Sequence, residues 1–173
     1  GTVDRQHGVE YFIRAIPYVI RKHPELKFYI IGGGRELKNI QELSRNLKIW
    51  EHCVFTGYLP YHEAKRFLQK AAIGVIPRLD NIPNRIVTTL KLYEYWASKT
   101  AVVSSRLEGI SEIARDMEDI VYFKSGDSLD LGRKICFLLE HREILSRLQE
   151  QGYRTVQKFK WESIIPRIVD FAF

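Results

Sequence analysis

Apolar side chains recur at Val9, Phe12, Ile13, Ile16, Val19 and Ile20, a helical spacing that predicts a helix over 9–22. Pro17 falls inside it and is expected to kink the helix or end its first half, because it has no N–H to donate. The run "KFYII", 27–31, is short and rich in β-branched and aromatic residues, so it reads as a strand, punctuated by the glycines 32–34. The same reading gives a helix over 36–47, a strand over 53–57, a helix over 61–70 behind Pro60, and a strand over 73–77. A polar loop over 78–88, with Pro83 inside it, then leads to a helix at 90–97. On that helix Leu90, Leu92, Tyr93, Tyr95, Trp96 and Ala97 cover most of the circumference, and Glu94 is the one acid among them. A strand at 101–103, a short helix over 111–115 and a strand over 120–123 follow. One or two helices are expected over 129–158, with Gly152 marking a break or bend, and an amphipathic stretch over 161–173 closes the chain.

Strand and helix alternate throughout, and the strands are continuous apolar runs rather than alternating ones. Strands covered on both faces read that way. The expected fold is therefore α/β: one Rossmann-like, doubly wound parallel sheet flanked by helices, a single domain over residues 1–173. In such sheets ligands bind beyond the carboxyl ends of the strands. The loops of interest are 2–8, 32–35, 57–61, 77–89 and 104–112. "GTVDRQHG" runs into a helix with no strand before it, and "RIVDFAF" stops in mid-helix, so the expectation is a domain cut from a longer chain.

Composition narrows the picture only a little. No apolar run approaches the roughly 18 residues of a membrane span, and Cys53 and Cys136 have no metal-ligand spacing. A reduced, cytoplasmic setting, or the cytoplasmic face of a membrane, is the expectation. The formal net charge of +6 favours an anionic partner, but the bases are spread along the chain without the basic, aromatic stripe of a nucleic-acid surface.

Three strand-end loops offer one chemistry. Arg5 and His7 stand just before a helix N-terminus; Gly32 and Gly33 permit close approach of backbone to a ligand; Arg78 and Arg85 precede Thr88 and Thr89, two candidate N-caps. A helix N-terminus with converging bases suits a diphosphate. A carboxylate at Glu94, about a turn and a half further on, is placed to accept hydrogen bonds from ribose hydroxyls. The alternatives are plain: the glycines as a turn, Arg78 and Arg85 as solvated side chains, His7 as an exposed loop residue, and Glu94 paired with Lys91 at i,i+3.

Six segments in order, "GTVDRQHGVEYFIRAI", "LKFYIIGGG", "VFTGYLPYHEAKRFLQKAAIGVIP", "LKLYEYWASKTAVVSS", "LEGISEI" and "KFKWESI", resemble one family. It is the GT-B glycosyltransferases related to glycogen synthases and mannosyltransferases, often called family 4, and the resemblance is to their C-terminal, donor-binding half. It implies a retaining transfer of a sugar, such as glucose or mannose, from a UDP- or GDP-linked donor, with no cofactor and no essential metal. Glu94 would bind the ribose; the backbone of Val87, Thr88, Thr89 and Leu90, leading into Lys91, would hold the diphosphate; and the base would lie against Tyr58 and Leu59. The resemblance further implies a glycan or lipid-linked acceptor held by an N-terminal domain absent from these residues, peripheral membrane association and a part in polysaccharide biosynthesis. Catalytic groups are expected in that other domain.

The sequence also departs from the family. Ile86 stands where the family has a second acid, eight residues before Glu94; Thr2 and His7 occupy its two basic first-loop positions, with Arg5 the nearest basic substitute; and Ser98-Lys99-Thr100 replaces its usual turn. The alternatives to a transferase domain are a sugar-nucleotide epimerase of the same architecture and a non-catalytic nucleotide-binding domain.

Overall fold

The computed structural model describes residues 1–160 and 162–163. Five strands form: β1 (Phe28–Ile31), β2 (Cys53–Gly57), β3 (Ile73–Ile76), β4 (Ala101–Ser105) and β5 (Val121–Phe123). The helices are α1 (Val9–Ile20), α2 (Leu37–Asn46), α3 (Tyr61–Lys70), α4 (Ile82–Ile86), α5 (Leu90–Ala97), α6 (Glu108–Ser111), α7 (Ser128–Glu140) and α8 (Arg142–Gln157), with 3-10 turns at Arg5–His7 and Trp50–His52. The paired strands are parallel, β1 with β2 and β3 with β4 with β5. Hydrogen bonding thus divides them into two groups, which share one apolar core.

The central strand shows why short apolar runs mark a doubly covered sheet. Every residue of β4 is buried. Ala101 and Val103 join α1 and α7 in one cluster, whereas Val102 joins Leu92 and Trp96 of α5 in the other. Successive side chains of a strand point to opposite faces, so an unbroken apolar run is needed when both faces carry helices.

Several expected boundaries move. α1 runs through Pro17 to Ile20; the lost hydrogen bond is outweighed by burial of Ile13, Ile16 and Val19 along one face. The short helix after β4 lies at Glu108–Ser111 rather than over 111–115. The break between the last long helices is at His141, and α8 passes unbroken through Gly152. That glycine makes room: a Cβ there would lie inside the Trp96 indole, 2.7 Å from Nε1. The stretch over 161–173 lies outside the described residues apart from 162 and 163. Among the described residues, no helix is long and apolar enough to cross a membrane.

α5 is less buried than its sequence suggests. Leu92 and Trp96, four residues apart, form its buried face, and Leu90 is 77% exposed. Its position is fixed from behind. Trp96 Nε1 donates to the carbonyl of Asp119 (2.8 Å). The Asp119 carboxylate accepts from Arg115 N–H (2.8 Å) and from the Thr155 hydroxyl of α8 (3.1 Å). Burial pushes the Asp119 carboxyl up, and those two hydrogen bonds offset only part of the rise. A buried acid satisfied this way locks α5 between α8 and the entry to β5, so the N-terminus of α5 has a defined place at the strand ends.

Candidate functional site

The two threonines before α5 have different tasks. Thr89 is its N-cap: extended at φ −94°, ψ 134°, it accepts a bond from Lys91 N–H (3.4 Å) on its hydroxyl oxygen. Thr88 turns away, and its hydroxyl donates to the carbonyl of Gly109 in α6 (2.7 Å). This anchors the 87–90 backbone over α6, with Val87 and Leu90 exposed.

Bases from three distant stretches meet there. Lys91 folds back toward the first residue of the chain, so that a Cβ on Gly1 would sit 2.8 Å from Lys91 Cε. Its ammonium is held below the ordinary lysine range by burial and then by the nearby charge of Arg78, with Glu94 acting in the opposite direction. His7 is likewise lowered by burial, then by Lys91 and Arg78, with Asp4 opposing. Arg78 is lowered by burial. His7 Nδ1 and Arg78 Nε are both buried with no hydrogen-bond partner. Crowded, desolvated basic groups with unpartnered polar atoms are costly, and an anion would relieve both costs together. The N-terminus of α5 adds the partial positive charge of its free amides.

Glu94 lies one turn into α5, half-buried. It makes no ion pair with Lys91, although the two are close enough for its charge to raise the lysine. Among the described residues its carboxylate has no hydrogen-bond or ion-pair partner within contact distance. The acid of α5 is therefore left free at the edge of a basic cluster.

The predicted glycines and aromatic residue also meet. The Tyr58 hydroxyl donates to the Gly33 carbonyl (2.8 Å), and its ring lies over Gly33. Gly32, at φ +128°, packs directly against the backbone of Gly1, where no side chain fits. Gly1 thus stands between Gly32 and Lys91 and joins the ends of β1 and β2 to the basic cluster. Tyr58 is 70% exposed, so one ring face is free, and Leu59 beside it is half-buried.

Two predicted bases are placed otherwise. Arg85 is forked on Asp80, Nε to Oδ1 at 2.5 Å and Nη2 to Oδ2 at 3.2 Å, and holds that carboxyl below its usual range. Arg5 is exposed on its 3-10 turn and opens onto a small cleft with Asp4, Glu10 and Glu36. Of the two arginines that the sequence places before the threonines, Arg78 takes the inner position. α4 was missed as well, although Asn81 as N-cap and Pro83 in the first turn were signals for it. It presents Ile82 and Ile86, 72% and 74% exposed, beside the exposed Val87. Among the described residues, no group of three or more His, Cys, Asp or Glu side chains is arranged to hold a metal ion.

Fold and cluster together define a Rossmann-type α/β domain with a basic site at a helix N-terminus beyond the strand ends. Within that class the chain belongs to the glycosyl transferases group 1 family, whose model matches residues 1–141. It is 29% identical over 174 residues to an uncharacterised glycosyltransferase of Methanocaldococcus jannaschii, covering 98% of this chain and 42% of that protein. It is 26% identical over 146 residues to the lipopolysaccharide core biosynthesis glycosyltransferase LpsE of Rhizobium meliloti, covering 84% and 41%. Among solved structures it resembles Anabaena HepE in complex with UDP, with a TM-score of 0.87 at 13% identity, covering 99% of this chain and 46% of that one. It also resembles the C-terminal domain of the group 1 protein LpcC from Francisella tularensis, with a TM-score of 0.81 at 21% identity, covering 93% and 84%. The chain spans less than half the length of these two curated relatives. The likenesses show the GT-B, Rossmann-like fold expected from the sequence.

Proposed function

We propose that this chain is the donor-binding half of a retaining glycosyltransferase that uses a UDP- or GDP-linked sugar. The observation that carries the reading is the meeting of Arg78, Lys91 and His7 at the start of α5, beside an unpaired Glu94. In this reading the diphosphate lies between those bases and the amides of 87–90. Glu94 accepts from the ribose hydroxyls, and the base stacks on the free face of Tyr58 beside Leu59. UDP bound to Anabaena HepE supports a nucleoside diphosphate as ligand. The LpsE likeness supports a glycan or lipid-linked acceptor, and the net charge of +6 supports work beside an anionic membrane face. Ile86 supplies no acid to the donor sugar, so the sugar's hydroxyls must be met by other groups. That same residue favours a second reading, a nucleotide-binding domain without transferase activity.

Transfer requires the acceptor to be held against the anomeric carbon, and much of the rate comes from that positioning. We place the acceptor on a separate domain that closes over this one. Residues 1–173 alone are then expected to bind the nucleotide and transfer no sugar, whereas the same chain joined to its acceptor domain turns over. A donor-dependent transfer assay on both forms checks this. Turnover by 1–173 alone at the rate of the joined form contradicts it, and inactivity of both forms favours the second reading.

His7 gives the site a pH signature. Burial and its basic neighbours lower its pKa in the free protein, so it is neutral at pH 7. A bound diphosphate stabilises the protonated form and raises that pKa. Affinity gained through His7 therefore grows as pH falls through the pKa of the complex, and levels off below that of the free site. The ratio of UDP affinities, wild type to His7→Gln, is expected to rise between pH 7.5 and pH 5.5, and taking the ratio cancels titration of the phosphate itself. A flat ratio places His7 away from the phosphates.

A further inference from the structure

Asn84 is a polar side chain only 3% exposed, on a short helix whose other side chains are mostly in solvent. Both polar atoms of its side chain are used. Its backbone N–H donates to the Asn81 side chain (3.0 Å). Its Nδ2 donates to two carbonyls, that of Gln6 in the first loop (3.0 Å) and that of Leu79 (2.8 Å). These two acceptors fix the amide, because the flipped form would turn Oδ1 against both carbonyls. Oδ1 must then face Arg78, and it accepts from Arg78 Nη1 (3.4 Å). That contact draws one end of the guanidinium toward Asn84, and Nε is left buried and unpaired. The Leu79 N–H donates to the same Gln6 carbonyl (3.2 Å), so first loop, α4 and Arg78 form one connected unit.

We propose that Asn84 is the positioning residue of the basic cluster: it ties the first loop to Arg78 and aims the guanidinium at the bound anion. The inference rests on the donor-site reading for its biological meaning, but its geometry requires only an anion between Arg78 and Lys91.

The test is a double-mutant cycle read with pyrophosphate, UDP and GDP, with uridine and guanosine as phosphate-free controls. Arg78→Ala is expected to weaken pyrophosphate binding roughly tenfold to a hundredfold, the range for hydrogen bonds to charged groups. Asn84→Ala is expected to weaken it about threefold or more, without weakening nucleoside binding, and to add nothing once Arg78 is alanine. An Asn84 effect that persists in the Arg78→Ala background overturns the proposal, as does equal loss for nucleoside and diphosphate or no loss at all. If Asn84→Ala does not fold, Arg78→Lys decides: it keeps the charge, gives up the Nη that Asn84 accepts from, and is expected to lose nearly as much as Arg78→Ala. Affinity retained by Arg78→Lys overturns the proposal. Wild-type protein that binds pyrophosphate and obeys the cycle, yet binds neither UDP nor GDP, removes the donor-site reading and keeps the role of Asn84.

Discussion

Glu94→Gln is expected to weaken binding of UDP or GDP by roughly tenfold while leaving the melting temperature unchanged. The substitution keeps the shape of the side chain and removes its charge, and a hydrogen bond to an ionised acceptor is worth about twice a neutral one. The structure makes this sharper than sequence alone allows. Had Glu94 been paired with Lys91, glutamine would have cost stability and left affinity alone. Instead the carboxylate is half-buried without an ion-pair partner among the described residues, on a helix anchored through Trp96 and Asp119 on its other side. The charge acts on Lys91 only through space and against the larger effect of burial, so its removal should register chiefly in the ligand. Calorimetric titration beside a thermal melt separates the two cases, and unchanged affinity with a lowered melting temperature ends the ribose assignment.

Gly152→Ala is expected to be among the most damaging single-methyl changes in the chain. The added Cβ would occupy the Trp96 indole, which is fully buried and bonded to the Asp119 carbonyl. α8 and α5 must then separate, or the indole must give up its hydrogen bond. Overpacking of this kind costs about 1–3 kcal/mol, and the rigid ring places Gly152 toward the upper end. For a domain of this size that is a fall in Tm of roughly 6–12 °C. Alanine is otherwise the better helix former, so a helix that merely tolerated glycine would be stabilised by the change. A melt that rises with Gly152→Ala would mean that α8 does not approach Trp96 this closely.

These two residues mark what a sequence does and does not reveal. Val102 flanked by Ala101 and Val103 announces a strand covered on both faces, because an unbroken apolar run has no other economical use. Thr89 before Leu90 announces a helix start for a reason local to three residues. Gly152 looks like a helix breaker until its neighbour is known, and that neighbour, Trp96, lies far away in the chain. The same holds for the bases. Arg78 and Arg85 are alike on paper, two arginines on one loop. What separates them is that Asp80 engages Arg85, while Asn84 and burial turn Arg78 inward. His7 and Lys91 meet only because the first loop folds over the end of β1. Spacing within an element is legible in one dimension, whereas the partner that neutralises a charge or fills a gap is set by tertiary packing. α4 is the intermediate case, with its cap and proline in plain view but only five residues to carry them.

In the proposed reading the basic groups at the head of α5 are a diphosphate site belonging to a nucleotide. Titration of UDP, GDP, uridine and guanosine into the 173-residue chain tests it most directly. The expected result is saturable binding of one diphosphate, at least tenfold tighter than its own nucleoside, since two or more charge-assisted bonds are lost with the phosphates. Equal affinity for nucleoside and diphosphate, or no binding of either diphosphate, would contradict the account.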